Sequence, residues 1–356
     1  MNDILNKPHY VDGAFQNNYL HFEPKGLMKL LRWRWEAARD GKPAPPATPT
    51  PTVPPDMAFI RSNAAAVAAM QPAVTWIGHA TVLAQLGGIN LLTDPVFSPR
   101  ASPFSFIGPL RAQAPGVALA DLPHIDVVVI SHNHYDHCDV DSLKRLAAQP
   151  GGPPRFIVPL GLKAWMAGIG IEGPAVVELD WWQSHTVAGV EFVLTPVQHW
   201  SGRGLLDRME TLWGGYAVFA PDLHLFFAGD TGYSRDFADI RTRFAERQSD
   251  VRGGGFDIAL IPVGAYEPRW FMSEQHVNPE EAVRIHQDLH AKQSLGVHWG
   301  TFELTDESLD DPPQALATAR ARMKVDDRDF FLMAVGQTRM LARRGGSKPA
   351  DSGGTQ

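Results

Sequence analysis

The chain has 356 residues, 44 % of them hydrophobic and 20 % charged, with a formal net charge of −7. That composition excludes a disordered or collagen-like polymer, and the acidic balance argues against a nucleic-acid partner. One cysteine, Cys138, excludes an intrachain disulfide framework, and no apolar run is long enough for a membrane-spanning helix.

The opening residues Met1–Lys7 lack the charged-then-apolar order of a signal peptide, so a cytoplasmic location is expected. From Pro24 to Asp40, Leu27, Leu30, Leu31, Trp35 and Ala38 fall at helical spacing. Five basic residues there face two acidic ones, which suits a helix lying on an anionic membrane surface. The inner face of the membrane is the expected contact. Packing on the core, or on a second copy in a homodimer, is the alternative. Lys42–Pro55 is rich in Pro, Ala and Thr and reads as an extended linker. Residues 1–56 thus form an N-terminal arm, 57–342 a single domain, and 343–356 a Gly- and Ser-rich disordered tail. Deleting residues 1–40 is expected to weaken binding to anionic vesicles while largely sparing what residues 57–342 do in solution.

Within 57–342, apolar runs predict strands at Thr81–Leu86, Ile89–Leu92, Asp126–Ile130, Phe156–Val158, Glu191–Leu194 and Tyr216–Phe219. Four more are predicted at Leu223–Ala228, Ile258–Ile261, Leu295–Val297 and Phe330–Val335. Helical patterns fall at Val140–Ala148, Leu162–Ala167, Asp236–Arg247, Pro279–His290 and Pro313–Met323. Asn278 caps the fourth of these, with Pro279 at its first position and Glu280 and Glu281 in its first turn. Strands interleaved with helices imply a layered α/β fold.

The segment Ser131-His132-Asn133-His134-Tyr135-Asp136-His137 directly follows the run Ile125–Ile130. Three imidazoles and a carboxylate within six residues are costly to bury unless a cation coordinates them. With fourteen histidines and one cysteine, nitrogen and oxygen ligands suit zinc, and also iron or manganese. Two metal shells need more ligands than one loop supplies. Three further titratable residues each follow an apolar run: His199 after Val193–Val197, Asp230 after Leu225–Ala228, and His298 after Leu295–Val297. Strand ends of this kind can converge on one site.

His-x-His-x-Asp-His with a distant His, Asp and His resembles the binuclear metallo-β-lactamase superfamily. The likeness narrows further through Asp180-Trp181-Trp182, Gln198-His199-Trp200, Phe226–Tyr233, Pro262–Met272, Gln275–Ala282 and His298–Phe302. Over residues 74–302 the chain resembles N-acyl-phosphatidylethanolamine-hydrolysing phospholipase D. The resemblance implies a four-layer αββα sandwich with the site at one edge of two facing sheets. It assigns His132, His134 and His199 to one zinc, and Asp136, His137 and His298 to a second. Asp230 would bridge the two, and Asp94 would orient the ligand loop. His276 would contact the substrate phosphate or the leaving group, so His276, Asp136 and Asp230 are the expected catalytic residues. The implied reaction is hydrolysis of N-acyl-phosphatidylethanolamine or a related glycerophospholipid by metal-activated water. Phosphatidic acid and the headgroup, an N-acylethanolamine, would be the products. The alternative is hydrolysis of a soluble phosphorylated compound or lactone, since phosphate-lactonases share the Trp76–Thr81 motif.

Four remaining features are read structurally. His286 and His290 are expected on an exposed polar helix face, and Cys138 as an inert thiol. The tryptophans at 181, 182, 200, 213, 270 and 299 are expected mostly in the core, with one or two walling an acyl groove. Val140 and the stretch Ala245–Gly255 depart from the family pattern and bear on acyl preference.

Overall fold

The computed structural model describes residues 7–22, 25–204, 206–248 and 254–344. In chain order, the hairpin β1 (Tyr10–Val11) and β2 (Ala14–Phe15) precedes helices α1 (Leu27–Arg39) and α2 (Met57–Ala65). A first half follows: β3 (Ala73–Gly78), β4 (Thr81–Leu86), β5 (Ile89–Thr93), β6 (Val127–Val129), α3 (Val140–Ala147), β7 (Arg155–Pro159), α4 (Leu162–Gly168) and β8 (Val176–Leu179). The second half begins with β9 (Ser184–Val187), β10 (Val190–Thr195), β11 (Gly215–Phe219), β12 (His224–Phe227), α5 (Asp236–Gln248) and β13 (Ile258–Pro262). It ends with α6 (Arg269–Met272), α7 (Pro279–Asp288), β14 (Ser294–Val297), α8 (Asp311–Met323), β15 (Phe330–Phe331) and β16 (Thr338–Met340).

Two seven-stranded sheets result, ordered β16-β3-β4-β5-β6-β7-β8 and β15-β14-β13-β12-β11-β10-β9. Side-chain alternation decides their faces. Along β4, Val82, Ala84 and Leu86 enter the core between the sheets while Leu83 points outward. In β6, Val127 and Val129 point in and Val128 out. Ile60 of α2, Leu143 of α3 and Leu162 of α4 cover that outer face, and α5, α7 and α8 flank the second sheet. The αββα sandwich implied by the resemblance is therefore the observed fold. In each sheet one half is antiparallel and the other parallel: β5 to β8 in the first, β12 to β15 in the second. Parallel strands send their carboxyl ends to one edge, which is where loops can gather ligands.

Helix α7 begins at the predicted cap Asn278, which forms a reciprocal capping box with Glu281. It stops at Asp288, two residues before His290, whose backbone is left-handed at φ 56°. The strand expected over Phe330–Val335 keeps only two residues, because the chain turns where Gln337 Oε1 accepts from the Ala334 N–H. Six further strands and the helices α2 and α6 were not anticipated; β9, for example, is a short, polar edge strand (Ser-His-Thr-Val) with a weak apolar signal.

The arm packs on the body. Phe15 and Phe22 join the main core, and His9 stacks on Trp181 while pairing with Asp180 at 2.9 Å. Trp33 and Ala37 of α1 pack on Phe271 and Met272, and Trp33 Nε1–H donates to Asp306 at 2.8 Å. The proline-rich stretch is extended but tied down: Val53 N–H donates to Val335 O, and Thr50 Oγ1–H to Gly300 O. Most of the expected tail lies outside the described residues. Among the described residues, no helix is long and apolar enough to cross a membrane.

Candidate metal centre

All seven expected ligands lie beyond the carboxyl ends of strands and meet at one edge of the sandwich. His132, His134, Asp136 and His137 leave β6, His199 leaves β10, Asp230 leaves β12 and His298 leaves β14. Gly229, just before Asp230, has φ 61°, and a Cβ there would stand 2.5 Å from Ser131 Cβ. Only glycine lets β12 approach the ligand loop this closely.

Asp94, fully buried after β5, organises that loop. It accepts the Ser131 N–H at 2.7 Å, the Ser131 hydroxyl at 2.5 Å and His137 Nδ1–H at 2.6 Å. With its hydroxyl hydrogen committed to Asp94, Ser131 Oγ accepts from His132 Nδ1–H at 2.9 Å. His199 Nδ1–H donates to Gln275 O at 2.9 Å. Each of these bonds fixes a tautomer and leaves Nε2 of His132, His137 and His199 aimed at the centre.

The donor atoms are spaced as ligands. His134 Nδ1 is 3.3 Å from His199 Nε2, and His137 Nε2 is 3.1 Å from His298 Nε2. Asp136 Oδ2 lies 3.3 Å from His137 Nε2 and 3.2 Å from His298 Nε2. Ligands held about 2.05 Å from a tetrahedral ion are about 3.3 Å apart. Asp230 stands between the two groups: Oδ2 is 3.0 Å from His137 and 3.9 Å from His132, and Oδ1 is 3.2 Å from His298. His132 Nε2 is buried without a hydrogen-bond partner, as an atom awaiting a cation would be. The residues present fit a metal pair.

Electrostatics divide the ligands. Burial, then neighbouring imidazoles, hold His132 and His134 well below the usual histidine range. Burial brings His199 to about 4. At His137 and His298 burial also opposes charge, but Asp230 and Asp136 outweigh it. They hold His137 well above its usual value and raise His298 to about 9.

His276 precedes the α7 cap and places Nδ1 3.8 Å from Asp230, buried and without a hydrogen-bond partner. Burial lowers its pKa to about 3, so its imidazole is neutral at pH 7. His276, His134, Asp136 and Asp230 line a cavity of about 250 Å³. Through Trp200, Met272, Gln275 and Leu304 this cavity adjoins an apolar pocket of about 340 Å³, where Lys25 and Arg208 bring positive charge.

Three residues at the centre were not anticipated. His79 contacts Asp136, Asn17 holds the backbone of His199, and Gln275 supplies the carbonyl to its ring. The motif Trp76–Thr81 marked His79, but a single strand-end histidine has no local signal of its contacts. One expectation fails: His286 is buried and bonds Ser294 Oγ at 2.8 Å, so only His290 lies on an exposed face. Cys138 is buried with its thiol pushed up to about 12, consistent with an inert role. Trp181, Trp213 and Trp299 are buried, while Trp200 reaches the central cavity. Val140 lines a separate groove with Phe104, Trp165 and Arg203. Residues 249–253 of the departing stretch lie outside the described residues.

A model of the β-lactamase superfamily domain matches residues 89–299, and the chain is a metal-dependent hydrolase of that superfamily. A crystal structure of isothiocyanate hydrolase from Delia radicum gut bacteria shares the fold, with a TM-score of 0.55 and 20 % identity over 76 % of this chain and 99 % of that one. The N-acyl-phosphatidylethanolamine-hydrolysing phospholipase D 1 of Caenorhabditis elegans is 41 % identical over 74 % of each chain. The mitochondrial enzyme of that name from Saccharomyces cerevisiae is 37 % identical over 68 % of this chain and 50 % of its own. The chain belongs to this family of phospholipases D.

Proposed function

We propose that the chain hydrolyses N-acyl-phosphatidylethanolamine, or a closely related glycerophospholipid, at the bond between phosphate and headgroup. The products are phosphatidic acid and the N-acylethanolamine. The observation that carries this reading is the junction of two cavities: a polar one lined by metal-ligand candidates and an apolar one beside it. A phosphodiester fits the first and an acyl chain the second, whereas a small soluble substrate leaves the apolar pocket without a role.

Two zinc ions are the metals we assign. His132, His134 and His199 would hold one, and Asp136, His137 and His298 the other, with Asp230 shared. Zinc bound there supplies a water of pKa about 7 and offsets the charge of the phosphodiester. The remaining work falls to the chain's own groups. Asp94 holds the ligand loop through Ser131 and His137. His276, neutral and facing the cavity, contacts the phosphate or the leaving oxygen. The apolar wall formed by Trp200 and Leu304 limits water beside the reacting phosphate.

Peripheral binding to the inner face of a membrane completes the reading. Helix α1 turns Trp33 and Ala37 inward but leaves Leu27, Met28, Leu31 and Trp35 exposed beside Lys29, Arg32 and Arg39. Leu30 and Trp33 line the apolar pocket, so the exposed face of α1 adjoins an entrance for lipid.

The test is mass spectrometry of vesicles containing N-acyl-phosphatidylethanolamine after incubation with the purified protein, with and without chelator. Chelator-sensitive release of phosphatidic acid and N-acylethanolamine supports the proposal. Turnover confined to soluble phosphodiesters or lactones refutes it.

A further inference from the structure

A further histidine, outside the expected ligand set, reaches the metal centre. His79 follows β3 and is buried, with its ring centroid 4.0 Å from that of His298. Its Nε2–H donates to Asp136 Oδ2 at 2.9 Å. Its backbone is equally committed: the carbonyl accepts the His298 N–H at 3.0 Å and Trp76 Nε1–H at 2.9 Å. Its own N–H donates to Thr301 Oγ1 at 2.9 Å. The residue is held at φ 54°, a conformation that side chains other than glycine adopt mainly where surrounding contacts impose it.

We infer that His79 is a positioning residue for the second metal subsite, fixing the Asp136 carboxylate with its ring and the His298 backbone with its carbonyl. The chemistry requires something of this kind. A carboxylate can rotate and present either oxygen to an ion. A donor on one face selects the orientation and preserves the ligand geometry while the ion is absent. One residue tied to two ligands also couples their positions, so Asp136 and His298 arrive together. Phe302, edge-on to the His79 ring at 5.2 Å between centroids, closes the far side. This inference rests on the two-metal reading above.

The experiment is a metal titration of wild type, His79→Ala and His79→Gln, with content measured by elemental analysis after dialysis against graded chelator. Wild type retaining two ions tests the two-metal reading by itself. Given that result, His79→Ala is expected to weaken the second ion about 10–100-fold and to leave the first unchanged. His79→Gln keeps an N–H donor and is expected to recover most of the loss. Two ions of wild-type affinity in folded His79→Ala overturn the inference while the two-metal reading stands. Should His79→Ala fail to fold, His79→Gln decides alone through its cobalt-loaded form. A wild-type absorption spectrum supports an outer-sphere role, and a lost or shifted band at the second ion shows that His79 is a ligand instead.

Discussion

The side-chain amide of Asn17 pairs with both backbone groups of His199: Nδ2–H donates to its carbonyl at 2.9 Å, and Oδ1 accepts its N–H at 3.0 Å. Trp213 Nε1–H reaches the same Oδ1 at 3.2 Å. A residue in the N-terminal arm therefore holds a metal-ligand candidate in place. Asn17→Ala would leave buried backbone groups unpaired, at a cost of about 1–3 kcal/mol. The expected outcome is a lower melting temperature and weaker retention of the ion at His132, His134 and His199, read by calorimetry and metal analysis. Deleting residues 1–40 removes Asn17 too, so we expect it to impair turnover of soluble substrates, contrary to the independence suggested by the sequence.

Why the sequence conveyed the ligands but not Asn17 has a physical basis. His132 to His137 form a dense local cluster after an apolar strand, and His199, Asp230 and His298 each end an apolar run. Local pattern suffices for such residues. Asn17 and His199 are 182 positions apart, and an asparagine in a polar stretch reads as surface. The same holds for His286, which the helical pattern placed outside. Its partner, Ser294, lies on the next strand, and only the packing of α7 brings the two together. For α1 the pattern did carry information, with the faces exchanged in emphasis. The apolar stripe at Leu27, Leu31 and Trp35 faces solvent, and Trp33, outside the stripe, makes the packing contact.

Asp230 lies closest to both groups of ligands, so its replacement tests the paired arrangement. Asp230→Asn keeps the shape but removes the charge that offsets two cations. We expect fewer than two ions per chain and loss of activity. An active variant retaining two ions would remove Asp230 from the bridging role.

Metal affinity should depend on pH differently at the two subsites. Without metal, His137 and His298 carry protons at pH 7, because Asp230 and Asp136 outweigh the effect of burial. An ion must displace them. His132, His134 and His199 are held neutral by burial and have no proton to lose at that pH. As pH falls from about 9 to 7, the second subsite should weaken about tenfold per unit for each proton displaced, while the first stays constant. Chelator competition at the two pH values checks this, and parallel loss of both ions contradicts it.

His276 separates substrate chemistry from metal binding. Its Nδ1 lacks a hydrogen-bond partner and lies 3.8 Å from Asp230, within the cavity. His276→Ala should retain metal and lower kcat by about 10²–10⁴-fold, the usual loss for one acid–base contact. Unchanged turnover with intact metal would make His276 a structural residue.

The exposed face of α1 distinguishes membrane contact from packing because the two uses fall on different residues. Leu27, Met28 and Trp35 are 69 %, 79 % and 63 % exposed and contribute little to the fold. Trp33 is 7 % exposed, packs on Phe271 and donates to Asp306. We expect the triple substitution Leu27→Ser, Met28→Ser, Trp35→Ser to keep the melting temperature and to reduce binding to anionic vesicles. Replacing Lys29 and Arg39 should reduce that binding further at low salt, since each cation near an anionic surface contributes about 1 kcal/mol and is screened over about 8 Å at physiological salt. Trp33→Ala should do the reverse, lowering stability by about 3–5 kcal/mol through the lost packing. Vesicle flotation at two salt concentrations, beside thermal melts, reads both effects. Should the triple variant float as wild type does, the lipid-facing surface lies elsewhere. The loop carrying Phe104, Phe106 and Ile107, each more than half exposed, is then the surface to substitute next.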